Sequence, residues 1–162
     1  MSVDINRLKL RKATEDDLML YFDWVNDPAV RANSFNTNVV LIKNHREWFT
    51  SKIKDVNTVF YILEYEHIPA GQIRFDQSID GAKINFSIDK QFRGRGLGKH
   101  ILQMASQRLI SEFPNLSSIY GYVKKNNTSS IKAFQSAGFI FSKEEMMQGI
   151  ESVLFVYPRE LK

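Results

Sequence analysis

Between a strand-like run, Ala82-Lys83-Ile84-Asn85-Phe86-Ser87-Ile88, and a helix-like run from Leu97 to Phe113, the chain carries Gly94-Arg95-Gly96-Leu97-Gly98-Lys99. Three alternating glycines at a strand-to-helix junction allow a backbone that approaches a ligand closely. The helix start that follows offers unpaired N–H groups and the positive end of a dipole. Such a start suits a phosphate or diphosphate, and Arg93, Arg95 and Lys99 place cations around it. Two common phosphate loops fail on spacing. A dinucleotide fingerprint needs a third glycine where Lys99 stands. A nucleotide-triphosphate loop needs one more residue before Gly98-Lys99 and a hydroxyl where His100 stands.

The spacing that fits is Q-x-x-G-x-G, met by Gln91, Gly94 and Gly96. It resembles the coenzyme A loop of the GNAT acetyltransferase superfamily. A second stretch agrees: Asn127, Ser130 and Gly138-Phe139 resemble the family's later motif, in which an Asn and a small residue open a helix that closes on Gly-Phe. The local chemistry is consistent, since Asn126, Asn127 and Thr128 are good helix caps and Gly138 is a good helix stop.

The resemblance implies acetyl-CoA as cofactor. Arg93, Gly94, Arg95, Gly96, Leu97, Gly98 and Lys99 would then hold its diphosphate. Phe86, Ser87 and Ile88 would offer backbone groups to the pantetheine arm, as an added strand does. Asn127 and Ser130 would flank its other side. The reaction implied is acetyl transfer from a thioester to an amine, with a general base for the amine and a general acid for the thiolate. The chain departs from the family pattern at both. Phe134 stands where many members carry the acidic Tyr, and Lys83 where many carry a Glu. The expected catalytic residues are therefore His45, whose ordinary pKa suits a base; Asp76, as acceptor for the amine or as a salt-bridge partner of Arg74; Asn85, to orient a water or the acetyl group; and Ser130, as a substitute acid.

Composition narrows the alternatives. A chain of 162 residues suits a single domain, 1–162, and 43% hydrophobic with 25% charged residues is the balance of a soluble globular protein. No apolar run reaches membrane-span length, and Met1–Asn6 lacks a signal-peptide core, so the cytoplasm is expected. The absence of cysteine removes disulfides and thiol nucleophiles. Three histidines without paired spacing argue against a metal site. The net charge of +4 is dispersed, which argues against a nucleic-acid partner.

Periodicity and turn signals predict strands at Leu8–Arg11, Val59–Leu63, Gln72–Phe75, Ala82–Ile88, Ser118–Val123, Phe139–Phe141 and Ser152–Tyr157. Helices are expected from a Thr14 cap to Asp27-Pro28, over His45–Lys54, over Leu97–Phe113 and over Thr128–Ala137. Asn33–Lys43 reads as irregular. The result is an α/β protein with a mixed, twisted central sheet and helices on both faces, matching the GNAT fold. The two last strands have the option of pairing between subunits of a homodimer.

Trp24, Asn26, Arg31, Asn33, Phe35 and Trp48, with Arg74, interleave aromatic rings with amides and cations, which suits a sugar or a base. That region resembles acetyltransferases acting on nucleotide-linked amino sugars in bacterial surface-glycan pathways of the pseudaminic-acid type. The expected partner is thus a small-molecule amine, a nucleotide sugar. The alternatives are a ribosomal-protein or peptide N-terminal acetyltransferase and, in another class, a non-catalytic coenzyme A binder.

Overall fold

The computed structural model describes residues 3–158. Its strands are β1 (Leu8–Lys12), β2 (Thr58–Tyr65), β3 (Ile68–Ser78), β4 (Gly81–Ile88), β5 (Ile119–Lys124), β6 (Ile140–Met147) and β7 (Ile150–Val156). The helices are α1 (Leu18–Val25), α2 (Pro28–Asn33), α3 (Ile42–Lys52), α4 (Leu97–Glu112) and α5 (Thr128–Ser136). All seven strands join one sheet in the order β1-β2-β3-β4-β5-β7-β6. Every neighbouring pair is antiparallel except β4 with β5.

Strand β2 explains the layering. Its side chains alternate between faces. Val59, Tyr61 and Leu63 enter one core with Ile73 and Phe75 of β3, the apolar stripe Leu97, Ile101, Leu102, Ala105 and Leu109 of α4, and Phe134 of α5. Phe60 and Ile62 enter a second core with Tyr21 and Trp24 of α1 and Phe49 of α3. A strand covered on both faces needs no polar alternation, which is why Val59–Leu63 reads as one apolar run. The mixed sheet with helices on both faces is the architecture expected.

Local differences have local causes. Thr14 does cap, but it caps a 3-10 turn, Glu15–Asp17, in a capping box with Asp17, and α1 starts only at Leu18. Asp27-Pro28 ends α1 and opens α2: Pro28 takes the first helical position, and Asp27 Oδ1 accepts from the N–H groups of Ala29 and Val30. Helix α3 begins three residues before His45. Strand β6 runs well beyond Phe141, through Ser142-Lys143-Glu144-Glu145. It is one of the sheet's two edge strands among the described residues, and an exposed edge carries charge where an inner strand carries apolar residues.

The feature that positions the site is the β4–β5 junction. These strands pair only at Ala82 with Ile119 and Lys83 with Tyr120. Beyond Lys83 they separate. Helices α4 and α5 meet beside this split, where a Cβ added at Gly98 would lie 2.9 Å from the Cβ of Ala133.

Candidate active site

From Ile84 to Ile88, β4 is paired with β3 on one edge while its edge towards β5 has no ladder partner. That free edge can accept an extended ligand carrying amides. At its end Asp89 caps a 3-10 turn, Lys90–Phe92, and the glycine turn follows. Gly94 and Gly96 have φ of +77° and +76°, in the left-handed region. A Cβ at either would meet nothing within 4 Å, so backbone shape, not crowding, requires glycine there. Gly96 is the N-cap of α4 and no side chain caps that helix. Its first-turn N–H groups, with exposed Arg95 and Lys99 nearby, can therefore hold a diphosphate. Arg95 lies over the Phe92 ring at 5.4 Å. Arg93, expected on the phosphate, instead donates to Asp27 Oδ1 at 2.8 Å and to the Ile88 carbonyl at 3.1 Å. It braces the glycine turn against the start of α2. Burial alone would raise the Asp27 carboxyl, but Arg93 and the N–H groups of Val30 and Ala29 outweigh it and hold it below the usual range.

At the start of α5, Asn127 accepts from the Ser130 N–H at 3.3 Å and donates its Nδ2 proton to Ser130 Oγ at 3.0 Å. Ser130 thus keeps its own hydroxyl proton available to donate. Phe134, one turn further, is 2% exposed. It stacks on Phe155 at 5.2 Å and meets Phe86 and Phe139 edge-on at 5.6 and 5.0 Å. The position of the family's Tyr is here a core position.

The face of the split towards α1–α3 is polar. It carries Gln72, Arg74 and Asp76 of β3, Lys83, Asn85 and Ser87 of β4, and Tyr120, Tyr122 and Lys124 of β5, each set alternating with residues in the α4 core. Buried Gln72 donates through Nε2 to Asn85 Oδ1 at 3.1 Å and Ser87 Oγ at 3.2 Å, which fixes the orientation of Asn85. Arg74 lies 5.0 Å from the centre of the Trp48 ring and donates to Asp76 Oδ2 at 3.0 Å. The other Asp76 oxygen is shielded from solvent with no hydrogen-bond partner, 4.0 Å from Lys52 Nζ. The salt-bridge role foreseen for Asp76 is the one it takes.

Over residues 7–140 the chain matches the family model described as an acetyltransferase (GNAT) domain. The chain belongs to the GNAT acetyltransferase family. Curated relatives include a probable spermine N(1)-acetyltransferase of Bacillus subtilis subsp. natto, strain BEST195. It is 39% identical over 59 residues, which are 36% of this chain and 38% of that protein. Another is the uncharacterized N-acetyltransferase YfmK of Bacillus subtilis, strain 168, 28% identical over 102 residues, 61% of this chain and 66% of that protein. The chain therefore spans less than two thirds of the length of either. Among solved structures, spermidine N-acetyltransferase from Vibrio cholerae in complex with CoA and spermine superposes with a TM-score of 0.83 at 16% identity. The match covers 94% of this chain and 95% of that one. AAC(6')-Ib in complex with ribostamycin and coenzyme A gives 0.80 at 20% identity, covering 94% and 93%. Those likenesses establish the fold. The glycine turn, the uncapped start of α4 and the free edge of β4 fit acetyl-CoA, the cofactor that the sequence resemblance implies.

Several residues expected to serve the reaction of this GNAT enzyme are taken up by its architecture. His45 is 3% exposed; its Nε2 is 2.9 Å from the Leu18 carbonyl, and its ring packs among Phe22, Trp48 and Phe49. Burial, and then the charge of Arg46, push the imidazole below its usual range despite the Leu18 carbonyl. It joins α3 to α1 from a buried position. Trp24 is buried and donates Nε1 to Asp89 Oδ2 at 2.8 Å. Asn26 exchanges two bonds with the Val40 backbone, each 2.8 Å. Arg31 donates to the carbonyls of Val25, Asn36 and Asn38 and to Ser34 Oγ. All three were expected on a substrate; Asn26 and Arg31 instead clamp the irregular 34–41 segment, and Trp24 ties α1 to the end of β4. Asn33 is exposed at the end of α2, and Phe35 is half-buried on that segment. Tyr120, Tyr122 and Gln72 were missing from the sequence reading. The period-two pattern Tyr120, Tyr122, Lys124 was the available signal, and buried Lys124 confirms its side by donating to the Ala32 carbonyl of α2 at 3.1 Å.

Proposed function

We propose that this GNAT acetyltransferase moves the acetyl group of acetyl-CoA to the primary amine of a nucleotide-linked amino sugar, a cytoplasmic step of surface-glycan assembly. The observation that carries the acceptor class is the charge pairing on the α1–α3 side. On the sheet face Asp76 is met by Arg74 and Lys52, and at the start of α2 Asp27 is met by Arg93; the exposed carboxylates of that side without an ion pair among the described residues, Asp23 and Glu47, are on the helices α1 and α3. A polycationic amine needs carboxylates that are not already matched by the protein's own cations. The same face offers exposed Lys83 and the flat surfaces of Trp48, Tyr120 and Tyr122, which suit a phosphate and a sugar ring.

Bound acetyl-CoA supplies the acetyl group as a thioester. The N–H groups at the start of α4, with Arg95 and Lys99, hold the diphosphate. The free edge of β4 at Phe86, Ser87 and Ile88 aligns the pantetheine arm along the split. Asn85, locked by Gln72, stands on the acceptor side and hydrogen-bonds the incoming amine or its water. Ser130 keeps a hydroxyl proton at the start of α5 for the departing sulfur.

A second reading, transfer to a polyamine, is favoured by the 39%-identical stretch shared with the probable spermine N(1)-acetyltransferase. One experiment separates the two: thiol release from acetyl-CoA against nucleotide-linked amino sugars, spermine, spermidine, aminoglycosides and N-terminal peptides, with coenzyme affinity by calorimetry. Turnover with the sugars and a negligible rate with spermine supports the first reading. The reverse order replaces it.

A further inference from the structure

The split between β4 and β5 places a second pair of groups opposite Asn85. Pairing stops at Lys83 with Tyr120, so the next residues on the same face are Asn85 on β4 and Tyr122 on β5. Tyr122 therefore flanks the opening one step beyond the last paired residues, on the same face as Asn85, the residue that Gln72 locks in place. Its ring is half-buried and meets Tyr120 edge-on at 6.0 Å. Glu145 of β6 shares this face across β7: Tyr122 and Lys124 align with Leu154 and Ser152 of β7, which in turn align with Lys143 and Glu145. One Glu145 oxygen is shielded from solvent and has no hydrogen-bond partner, with Lys143 Nζ 3.6 Å away. In strand order this carboxylate lies on the far side of Tyr122 from β4.

We propose that Tyr122 is the proton relay of the transfer, carrying the amine's proton to Glu145. This rests on the coenzyme lying along the β4 edge. As the amine nitrogen forms its bond to the acetyl carbon and the carbon–sulfur bond breaks, the nitrogen's surplus proton passes to Tyr122 Oη. The phenol's own proton passes to the Glu145 carboxylate, and the bonding pair leaves with sulfur as thiolate. Both proton carriers end one exchange with no net change in Tyr122, and Glu145 returns its proton to water. The pair thus occupies the role left open at Lys83. Other charged groups are placed compatibly. Burial first, then Glu145, Tyr120 and Asp80, push the phenol's pKa up, so it holds its proton at neutral pH and has one to hand on. Lys83 lies on the same face in the last paired step, opposite Tyr120, and Lys124 is tied to the Ala32 carbonyl.

The test is a double-mutant cycle of Tyr122→Phe and Glu145→Gln. The rate is kcat for the fastest amine of the panel, or for acetyl-CoA hydrolysis by water if no amine exceeds it. Thermal melts confirm folding. The relay predicts that each single variant loses roughly a hundredfold in kcat with coenzyme affinity within about twofold of wild type. Because the two act as one unit, the double variant should be no more than a few-fold slower than either single. A single variant within a few-fold of wild type overturns the relay. So does a double variant whose losses multiply, which is the behaviour of two merely structural residues. Weaker coenzyme binding in Tyr122→Phe would move Tyr122 into the coenzyme site and also refute it. Gly96→Trp separately tests the coenzyme placement: unchanged affinity there removes the premise whatever Tyr122 does.

Discussion

Restoring the family's tyrosine, by Phe134→Tyr, should damage this enzyme. The para carbon of the Phe134 ring lies 2.6 Å from where a Cβ on Gly121 would sit, so the ring already abuts the backbone of β5. A hydroxyl would extend from that same carbon into a wall. Forcing an extra atom into a packed core costs about 1–3 kcal/mol. Burying a hydroxyl without a partner adds about 1–3 kcal/mol. Some relief comes from tilting the ring against Phe86 and Phe139, so a net loss of roughly 2–4 kcal/mol is expected. In a domain of this size each kcal/mol lowers the melting temperature by about 2–4 °C. The variant should therefore melt about 4–16 °C below wild type, with no gain in kcat. Circular-dichroism melts and steady-state thiol release check both. A melting temperature unchanged within a degree, together with a higher kcat, would show that position 134 faces the sulfur and would refute the core assignment.

Gly98→Ala should separate α4 from α5, because its Cβ would sit 2.9 Å from that of Ala133. A loss of about 1–3 kcal/mol is expected, largely recovered in Gly98→Ala/Ala133→Gly; chemical denaturation of the wild type and the two variants measures it. Gly96→Ala meets no neighbour but must hold a φ of +76°, costing about 1–2 kcal/mol, and if the backbone relaxes the N–H cradle is lost. Calorimetry should then show at least tenfold weaker coenzyme binding with only a small drop in melting temperature. Stability should also fall on acidification. The folded pKa of His45 lies below its unfolded value of about 6.5, so the unfolded chain takes up the proton more readily. Its contribution is complete above that pH and is lost as pH falls below it. His100, also lowered by burial and by Lys99, acts in the same sense. Urea unfolding at pH 7.5 and 5.5 should show the loss, and His45→Phe should lessen it.

What could be read from sequence was local. The glycine turn is legible because positive φ selects for one residue type, and Gly94 and Gly96 hold that geometry. The Asn127 cap is legible because its acceptor lies three residues away. The buried strand Val59–Leu63 announces itself as an apolar run. Strand β6 does not, since an edge strand is selected for charge and its one neighbour among the described residues is β7. Fold order survives such errors, because a hairpin partner found at Ser152–Tyr157 still places β6 beside it.

The proposed acceptor face was illegible for a different reason. Aromatics, amides and cations interleaved along a segment describe a ligand cleft, but they equally describe a loop clamped by its own side chains. The distinction lies in whether the donors find partners in the chain. Arg31 finds three carbonyls and a hydroxyl, and Asn26 finds both backbone groups of Val40. Neither pairing has a signature in residue type. The polar face that remains is assembled from strands far apart in sequence, and its location depends on where β4 stops pairing with β5. That point follows from the wedge of Phe86, Phe134 and the α4–α5 contact at Gly98. Packing on one side of the sheet thus decides which residues line the other. A substitution in the wedge should therefore shift acceptor KM without touching any residue of the acceptor face.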